Sequence, residues 1–155
     1  MTCADLDDLT VLLGDPAVMR FYPQPKTRDE AKQWIAWTLR NYDSYGFGLW
    51  VIERVDDGLF VGDCGLTWQR IDGRAVLEVG YHVLPTYQGQ GLATEAAAAC
   101  LEFAFGAIGA DYVTAIVNPE NAASRRVASN IGMTVETHTN DADGRPLVLY
   151  SVARS

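Results

Sequence analysis

The sequence predicts an α+β domain with a mixed, mostly antiparallel central sheet flanked by helices. Three alternating, strand-like runs follow one another within residues 48–83, separated only by the turn signals Asp56-Asp57-Gly58 and Asp72-Gly73. Connections this short join antiparallel strands, because a parallel pair needs a crossover of roughly a dozen residues. Helix-forming runs precede and follow these strands, and a last strand pair flanks Asp141-Ala142-Asp143-Gly144. The order α-α-β-β-β-α-β-α-β-β is typical of an α+β or mixed-sheet domain.

Each element has its own local signal. The run 4–13 is amphipathic and stops before Gly14-Asp15-Pro16, which predicts a short first helix. Thr27 and Glu30 have the spacing of a capping box, so a second helix is expected to begin there and to continue to about Tyr42. Two further helices are expected at 93–105 and 122–131, the latter closed by Gly132. Strands are expected at 48–54, 59–69, 74–83, 112–117, 134–139 and 146–153.

The composition limits the range of functions. The 155 residues carry a net charge of −8, which argues against nucleic acid or an anionic membrane as a partner. The same charge either favours a cationic substrate or only keeps the protein soluble. The three scattered cysteines and the two histidines, His82 and His138, have no metal-site or disulfide spacing. The acidic N-terminus lacks the features of a signal peptide, and no apolar run reaches the roughly 18 residues of a membrane span. We therefore expect one cytoplasmic domain over residues 1–155, monomeric or homodimeric, without a metal.

The most informative segment is the glycine turn 88–93, which lies between a strand and a helix. This order leaves backbone N–H groups free at a helix N-terminus, where they bind phosphate. No Lys-Ser/Thr pair follows the glycines, so a Walker P-loop is excluded. A dinucleotide-binding fingerprint fits poorly, since Thr94 occupies the third glycine position and three antiparallel strands precede the turn. The turn therefore predicts a site for another phosphate-bearing cosubstrate.

Two motifs give this segment a more specific meaning. Gln88, Gly91 and Ala93 match the pyrophosphate loop Gln/Arg-x-x-Gly-x-Gly/Ala, so the chain resembles the GCN5-related N-acetyltransferase (GNAT) superfamily. The flanking residues resemble the branch that acetylates ribosomal-protein N-termini and small amines: Glu78-Val79-Gly80-Tyr81, Pro85 and Thr94-Glu95-Ala96. A second signature of this branch is matched by Asn121-Ala122-Ala123-Ser124 ahead of Gly132-Met133. The resemblance covers about residues 4–154. Members of the family usually begin with a strand before the first helix, whereas this sequence opens at that helix, so either the native start lies upstream or the sheet lacks its first edge strand.

The resemblance implies acetyl-coenzyme A as the cosubstrate. Its pyrophosphate would accept hydrogen bonds from the backbone of residues 88–94, and its pantetheine arm would lie beside the end of the preceding strand. The residues implied in binding it are His82, Val83, Leu84, Gln88, Gly89, Gln90, Gly91, Leu92, Ala93, Thr94, Asn121 and Arg126. Two of them have an alternative role, since Asn121 can be a helix N-cap and Arg126 can lie on a solvated helix face.

The same resemblance implies how the acetyl group moves. The N–H of Val83 would polarise the thioester carbonyl and hold the oxyanion. Glu78 would act as general base through water, or else pair with a neighbouring strand. Ser124 would protonate the leaving thiolate, or else hydrogen-bond within the first helical turn. The tyrosine that many members use for this proton is replaced here by Ala128.

The resulting hypothesis is an N-acetyltransferase that moves an acetyl group from acetyl-CoA to a primary amine by direct transfer in a ternary complex. The acceptor would be a protein N-terminus or a small amine, and Arg20, Phe21 and Tyr22 lie in a loop that lines the acceptor side in relatives. The alternative is a catalytically silent acyl-CoA-binding sensor. The missing tyrosine favours the sensor, whereas the presence of Glu78 and Ser124 favours the enzyme.

Overall fold

Four helices and six strands follow one another in the order that the sequence predicts. The computed structural model describes residues Met1–Ser155. The helices are α1 (Leu6–Gly14), α2 (Arg28–Tyr45), α3 (Leu92–Phe103) and α4 (Ala122–Asn130). The strands are β1 (Leu49–Glu53), β2 (Phe60–Ile71), β3 (Arg74–Val83), β4 (Tyr112–Val117), β5 (Thr134–Asn140) and β6 (Pro146–Ala153). Short 3-10 turns occupy Cys3–Asp5 and Pro85–Tyr87.

The six strands form one sheet in the order β1-β2-β3-β4-β6-β5. The pairs β1–β2, β4–β6 and β5–β6 are antiparallel, whereas β3 and β4 are parallel, with Glu78 in register with Thr114. The prediction of an α+β fold with a mixed, mostly antiparallel sheet flanked by helices is confirmed. Within Met1–Ser155 no strand precedes α1, and β1 forms one edge of the sheet.

The first of two compact units consists of Met1–Gly65 and Tyr81–Ala93. The predicted capping box of α2 is present, because Thr27 Oγ1 accepts from the N–H of Glu30 and the Glu30 carboxylate accepts from the N–H of Thr27. Helix α2 continues beyond the predicted Tyr42 to Tyr45, where Gly46 closes it with φ of 77°. Its core includes a cluster of side chains at most 2% exposed, formed by Leu9, Leu12 and Ile35.

The second unit consists of Leu66–Gly80 and Thr94–Ser155. Its centre is the β4–β6 ladder, in which Val113 and Leu149 are fully buried. Helix α3 differs from the predicted 93–105, since a π-helical segment replaces the α-helix at Ala104–Ile108 and ends at Gly109, with φ of 71°. The α-helical period of 3.6 residues gives no signal for a short π-helical turn. The predicted end of the helix, residue 105, therefore falls inside the π-helical segment. No helix in either unit has the length and apolar character that crossing a membrane requires.

Candidate functional site

The glycine turn joins the 3-10 turn after β3 to the first residue of α3. Gly89 and Gly91 have φ of 75° and 81°, left-handed values that residues with a Cβ rarely adopt. A Cβ atom added at either glycine would meet nothing within 4 Å, so the approach to this backbone is open. Residues 88–91 are exposed, and the first N–H groups of α3 have no acceptor within the helix. The turn therefore fits a phosphate group on its outer side.

The Gln88 side chain turns back toward β3. Its Nε2 donates to the carbonyl oxygen of Val83 at 2.9 Å, and its backbone N–H donates to the carbonyl oxygen of Pro85 at 3.3 Å. Gln90 makes a similar contact, since its Nε2 donates to the carbonyl oxygen of Thr86 at 3.2 Å. Both glutamine side chains thus brace the turn. The glutamine of the pyrophosphate-loop motif therefore has a structural role in addition to the binding role that the resemblance implies.

The backbone at the end of β3 is held closely by β2. The N–H of Leu84 donates to the carbonyl oxygen of Val61 at 2.9 Å. A Cβ atom at Gly62 would lie 1.9 Å from the carbonyl oxygen of His82, so only glycine permits this approach of the two strands. The Val83 side chain is part of the core, with the residue 8% exposed, which leaves its backbone as the functional group.

A hydrogen-bonded network surrounds the His82 side chain. Its Nδ1 lies 2.7 Å from Oδ1 of Asp63, and its Nε2 lies 2.8 Å from the hydroxyl of Tyr22. The other oxygen of Asp63 accepts from Nε1 of Trp34 at 3.1 Å. Asp63 is fully buried and the His82 side chain is 10% exposed. The residues belong to β2, β3, α2 and the α1–α2 loop, so four segments of the first unit meet at one imidazole.

This network makes the His82 imidazole a strong base. Burial alone would lower its pKa, but the charges and hydrogen bonds of Tyr22 and Asp63 outweigh burial and raise the pKa of His82 to about 10. The family motif implies a role for His82 beside the Val83 backbone, and it does not include Asp63. A signal was available, because Asp63 is a carboxylate inside the apolar run 61–66, and a buried charge requires a partner.

Glu78, the candidate general base, lies half-buried on β3 in the second unit. Its Oε2 accepts from Oγ1 of Thr67 on β2 at 3.5 Å, and Nε2 of Gln69 donates to the same threonine oxygen at 3.1 Å. Thr114 on β4 is in register with Glu78, and its fully buried hydroxyl has no hydrogen-bond partner. Both interpretations of Glu78, as a base and as a carboxylate that contacts a neighbouring strand, agree with this environment.

The predicted residues of α4 also lie in the second unit. The helix-cap interpretation of Asn121 is confirmed, since its Oδ1 accepts from the N–H of Ser124 at 3.0 Å. Ser124 is half-buried in the first turn, Arg126 is exposed, and Ala128 is fully buried. The neighbouring Arg125 is held in place, because its Nε donates to a tyrosine hydroxyl of β6 at 3.0 Å. Arg126 therefore lies on the solvated face that the sequence analysis gave as its alternative.

The predicted binding and catalytic residues divide between the two units. The first unit contains nine of the twelve predicted binding residues, all within one continuous stretch of chain: His82, Val83, Leu84, Gln88, Gly89, Gln90, Gly91, Leu92 and Ala93. The second contains Glu78, Thr94, Asn121, Ser124 and Arg126, with Thr94 half-buried in the first turn of α3. The two sets are thus built on different parts of the fold.

Known proteins resemble the chain in sequence. The acetyltransferase (GNAT) domain family matches residues 1–134. The uncharacterized protein YkkB of Bacillus subtilis is 39% identical over 132 residues, which cover 83% of this chain and 77% of YkkB. The FsC-acetyl coenzyme A-N(2)-transacetylase of Aspergillus fumigatus is 35% identical over 156 residues, which cover 90% of this chain and 66% of that protein. The matched regions thus span 66% to 77% of the length of these two relatives.

Solved structures share the fold. An acetyltransferase from Agrobacterium tumefaciens has a TM-score of 0.85 at 22% identity, covering 99% of this chain and 88% of that one. Spermidine N-acetyltransferase from Vibrio cholerae, in complex with CoA and spermine, has a TM-score of 0.79 at 18% identity, and the match covers 99% of this chain and 92% of that one. Ribosomal-protein-S5-alanine acetyltransferase from Vibrio fischeri has a TM-score of 0.72 at 17% identity, and the match covers 96% of this chain and 88% of that one.

The fold, the open glycine turn at the N-terminus of α3 and the family match agree with one another. The match covers residues 1–134, and the relative of known name that is 35% identical is itself a transacetylase. The chain therefore belongs to the GNAT acetyltransferase family and is an acetyltransferase that uses acetyl-CoA as its cosubstrate.

Proposed function

We propose that residues 1–155 act as one domain that transfers the acetyl group of acetyl-CoA directly to a primary amine in a ternary complex. The observation that supports this most is the continuity of the site along the chain. The backbone of Val83 is held by β2 and by the Gln88 side chain, and the exposed glycine turn follows within a few residues. One stretch of chain thus offers an N–H group for a carbonyl and a cradle for a pyrophosphate.

Binding of acetyl-CoA would use mainly backbone groups of this stretch. The N–H groups from Gly89 to Thr94 would donate to the pyrophosphate, and the Thr94 hydroxyl would add a further donor. The backbone of residues 82–84 would lie beside the pantetheine arm. Asn121 keeps its Nδ2 as a donor after its Oδ1 has capped α4. The exposed guanidinium of Arg126 would reach the 3′-phosphate of the adenosine.

The chemistry needs a polarised carbonyl, a neutral amine and a proton for the departing sulfur. The N–H of Val83 would stabilise negative charge on the thioester oxygen. Glu78 would accept the proton of the amine through water. This matters most for alkylamines, because an amine with a pKa of about 10.4 is only ~0.04% neutral at pH 7, whereas a peptide α-amine is roughly 10–15% neutral. Ser124 is the candidate donor for the sulfur.

An amine acceptor agrees with the charge of the protein and with the names of related enzymes. A net charge of −8 attracts cations, and amines are cationic in water at neutral pH. The named relatives are an N(2)-transacetylase and, among proteins of the same fold, a spermidine N-acetyltransferase. Neither fixes the acceptor of this chain, which we propose to be a protein N-terminus or a small amine.

A panel of amines tests this function. Free-thiol release would be followed with acetyl-CoA and one amine at a time, including peptides with free N-termini, polyamines and amino acids. We expect thiol release that depends on at least one amine, together with an N-acetylated product in mass spectrometry. Tight binding of acetyl-CoA with no turnover on any amine would instead support the silent acyl-CoA sensor.

A further inference from the structure

The hydrogen bonds around His82 determine which way the Tyr22 hydroxyl donates. The buried carboxylate of Asp63 can only accept, so Nδ1 of His82 carries a hydrogen. When the ring is charged, Nε2 carries a hydrogen as well, and the oxygen of Tyr22 accepts it at 2.8 Å. The hydroxyl hydrogen of Tyr22 then points away from His82. In this state the phenol offers a hydrogen-bond donor to whatever lies beside it.

The surroundings keep His82 charged at neutral pH. Burial works against the charged ring, but the buried carboxylate of Asp63, 2.7 Å from Nδ1, and the hydrogen bonds to Asp63 and Tyr22 favour it and hold the pKa of His82 above its ordinary value. Two further titratable groups lie near the network. Lys26 has its Nζ 5.4 Å from the ring centre of the indole that donates to Asp63, and Tyr42 has a pKa raised to about 12 by burial and by nearby carboxylates, including Asp63. The donor direction of Tyr22 is therefore set at the pH of ordinary assays.

The loop that carries Tyr22 differs in charge from the rest of the protein. Residues 16–27 contain Arg20 and Lys26 and no acidic residue, although the whole chain carries a net charge of −8. Arg20 is exposed, with its guanidinium carbon 5.4 Å from the ring centre of Phe21. Tyr22 itself is 41% exposed. A donor hydroxyl on a loop with two cations attracts an oxygen acceptor rather than a further ammonium group.

We propose that Tyr22 selects the acceptor amine by donating a hydrogen bond to a carbonyl or carboxylate oxygen next to the amino group. Amino acids and peptide N-termini carry such an oxygen, whereas polyamines and alkylamines do not. The inference rests on the proposed function, which assigns the Val83 N–H to the thioester carbonyl. Tyr22 is one hydrogen bond from the side chain of His82, the residue that precedes Val83. His82 and Asp63 are positioning residues that act through Tyr22.

Three acceptors of matched shape test this selection: phenylalanine, phenylalaninamide and 2-phenylethylamine. They share the aromatic group and the amine but carry a carboxylate, a carboxamide oxygen and no oxygen. Tyr22→Phe removes one partly exposed hydroxyl and keeps the ring. We expect it to lower kcat/KM about tenfold for the two oxygen-bearing amines and less than about twofold for 2-phenylethylamine, since the lost hydrogen bond exists only with the former. Ratios of variant to wild type cancel the different basicities of the three amines.

A second readout does not depend on turnover. In protein labelled with ¹⁵N-histidine, His82 and His138 give separate imidazole signals, which His138→Gln assigns. Added N-acetylphenylalaninamide should shift the His82 signals in the wild type but not in Tyr22→Phe, whereas N-acetyl-2-phenylethylamine should leave them unchanged in both. Asp63→Asn keeps an oxygen acceptor for Nδ1 but removes the charge, so the discrimination should vanish at a lower pH than in the wild type.

The outcomes separate the two proposals. Equal effects of Tyr22→Phe on all three amines, or equal His82 shifts with both acetylated compounds, would overturn the role of Tyr22 and leave N-acetyl transfer standing. Absence of thiol release with every amine of the wider panel would contradict the proposed function itself. If the two acetylated compounds also gave the same shift of the His82 signals, the proposed role of Tyr22 would be contradicted as well.

Discussion

Replacing the His82–Asp63 ion pair by an uncharged amide pair should remove a pH-dependent part of the free energy of unfolding. The pKa of His82 rises from 6.5 to about 10 in the folded protein. Because the folded pKa is the higher one, the stabilisation is fully present below about pH 6.5 and is lost as the pH rises through 10. At ~1.36 kcal/mol per pH unit, the difference between these two pKa values corresponds to a contribution on the order of 5 kcal/mol.

Urea unfolding of the wild type and of the double variant His82→Gln, Asp63→Asn would measure this contribution between pH 7 and 9.5. Fluorescence of the four tryptophans would report unfolding at constant ionic strength. The difference in free energy of unfolding should fall by about 1.4 kcal/mol per pH unit, or about 3 kcal/mol over the range, since the folded wild type holds one extra proton. Ionisations of groups outside the network cancel in the difference.

His138→Gln is the matched control, because His138 is the other histidine and is exposed on β5. This variant removes the other imidazole and should not reproduce the pH-dependent loss of the double variant. A constant difference between the wild type and the double variant across the range would refute the assignment of a buried imidazolium at His82.

Three further changes test the glycine turn, the candidate base and the close approach of β2 to β3. Gly91→Glu should abolish acetyl-CoA binding in calorimetry, because it places an anion at the pyrophosphate. Gly91→Gln has the same size and the same backbone strain and should only weaken binding. Equal affinities of the two variants would show that charge repulsion does not cause the loss of binding. Glu78→Gln should lower the rate more at pH 6.5 than at pH 9 if Glu78 is a base, and an equal loss at both would indicate a structural role. Gly62→Ala should lower the free energy of unfolding by about 3 kcal/mol in urea titrations, because its Cβ would collide with the His82 carbonyl. Gly80→Ala has open space at its Cβ and should have a smaller effect. Similar losses of stability in the two variants would contradict the close packing at Gly62.

The elements that sequence reasoning located well have local causes. The capping box at Thr27, the glycines of the turn 88–93 and the strand ending at Val83 depend on residues close together in the chain. The end of α3 was missed because the α-helical period gives no local signal for the π-helical segment before Gly109. Local patterns thus determine which elements occur and in what order more reliably than their exact bounds.

The network at His82 could not be read from local patterns. Its contacts join residues 19 and 60 positions apart, so they depend on the register of β2 against β3 and on the path of the α1–α2 loop. The motif pointed to the backbone of Val83 and left the neighbouring side chain without a role. Asp63, a lone carboxylate in an apolar strand, was the one sequence signal that required a buried partner.

Initial rates of free-thiol release, measured over a grid of acetyl-CoA and amine concentrations, test most directly whether the acetyl group passes straight from acetyl-CoA to the amine. With the best acceptor of the panel, direct transfer in a ternary complex predicts double-reciprocal lines that intersect. Parallel lines would indicate an acetylated enzyme intermediate and would contradict the proposed mechanism.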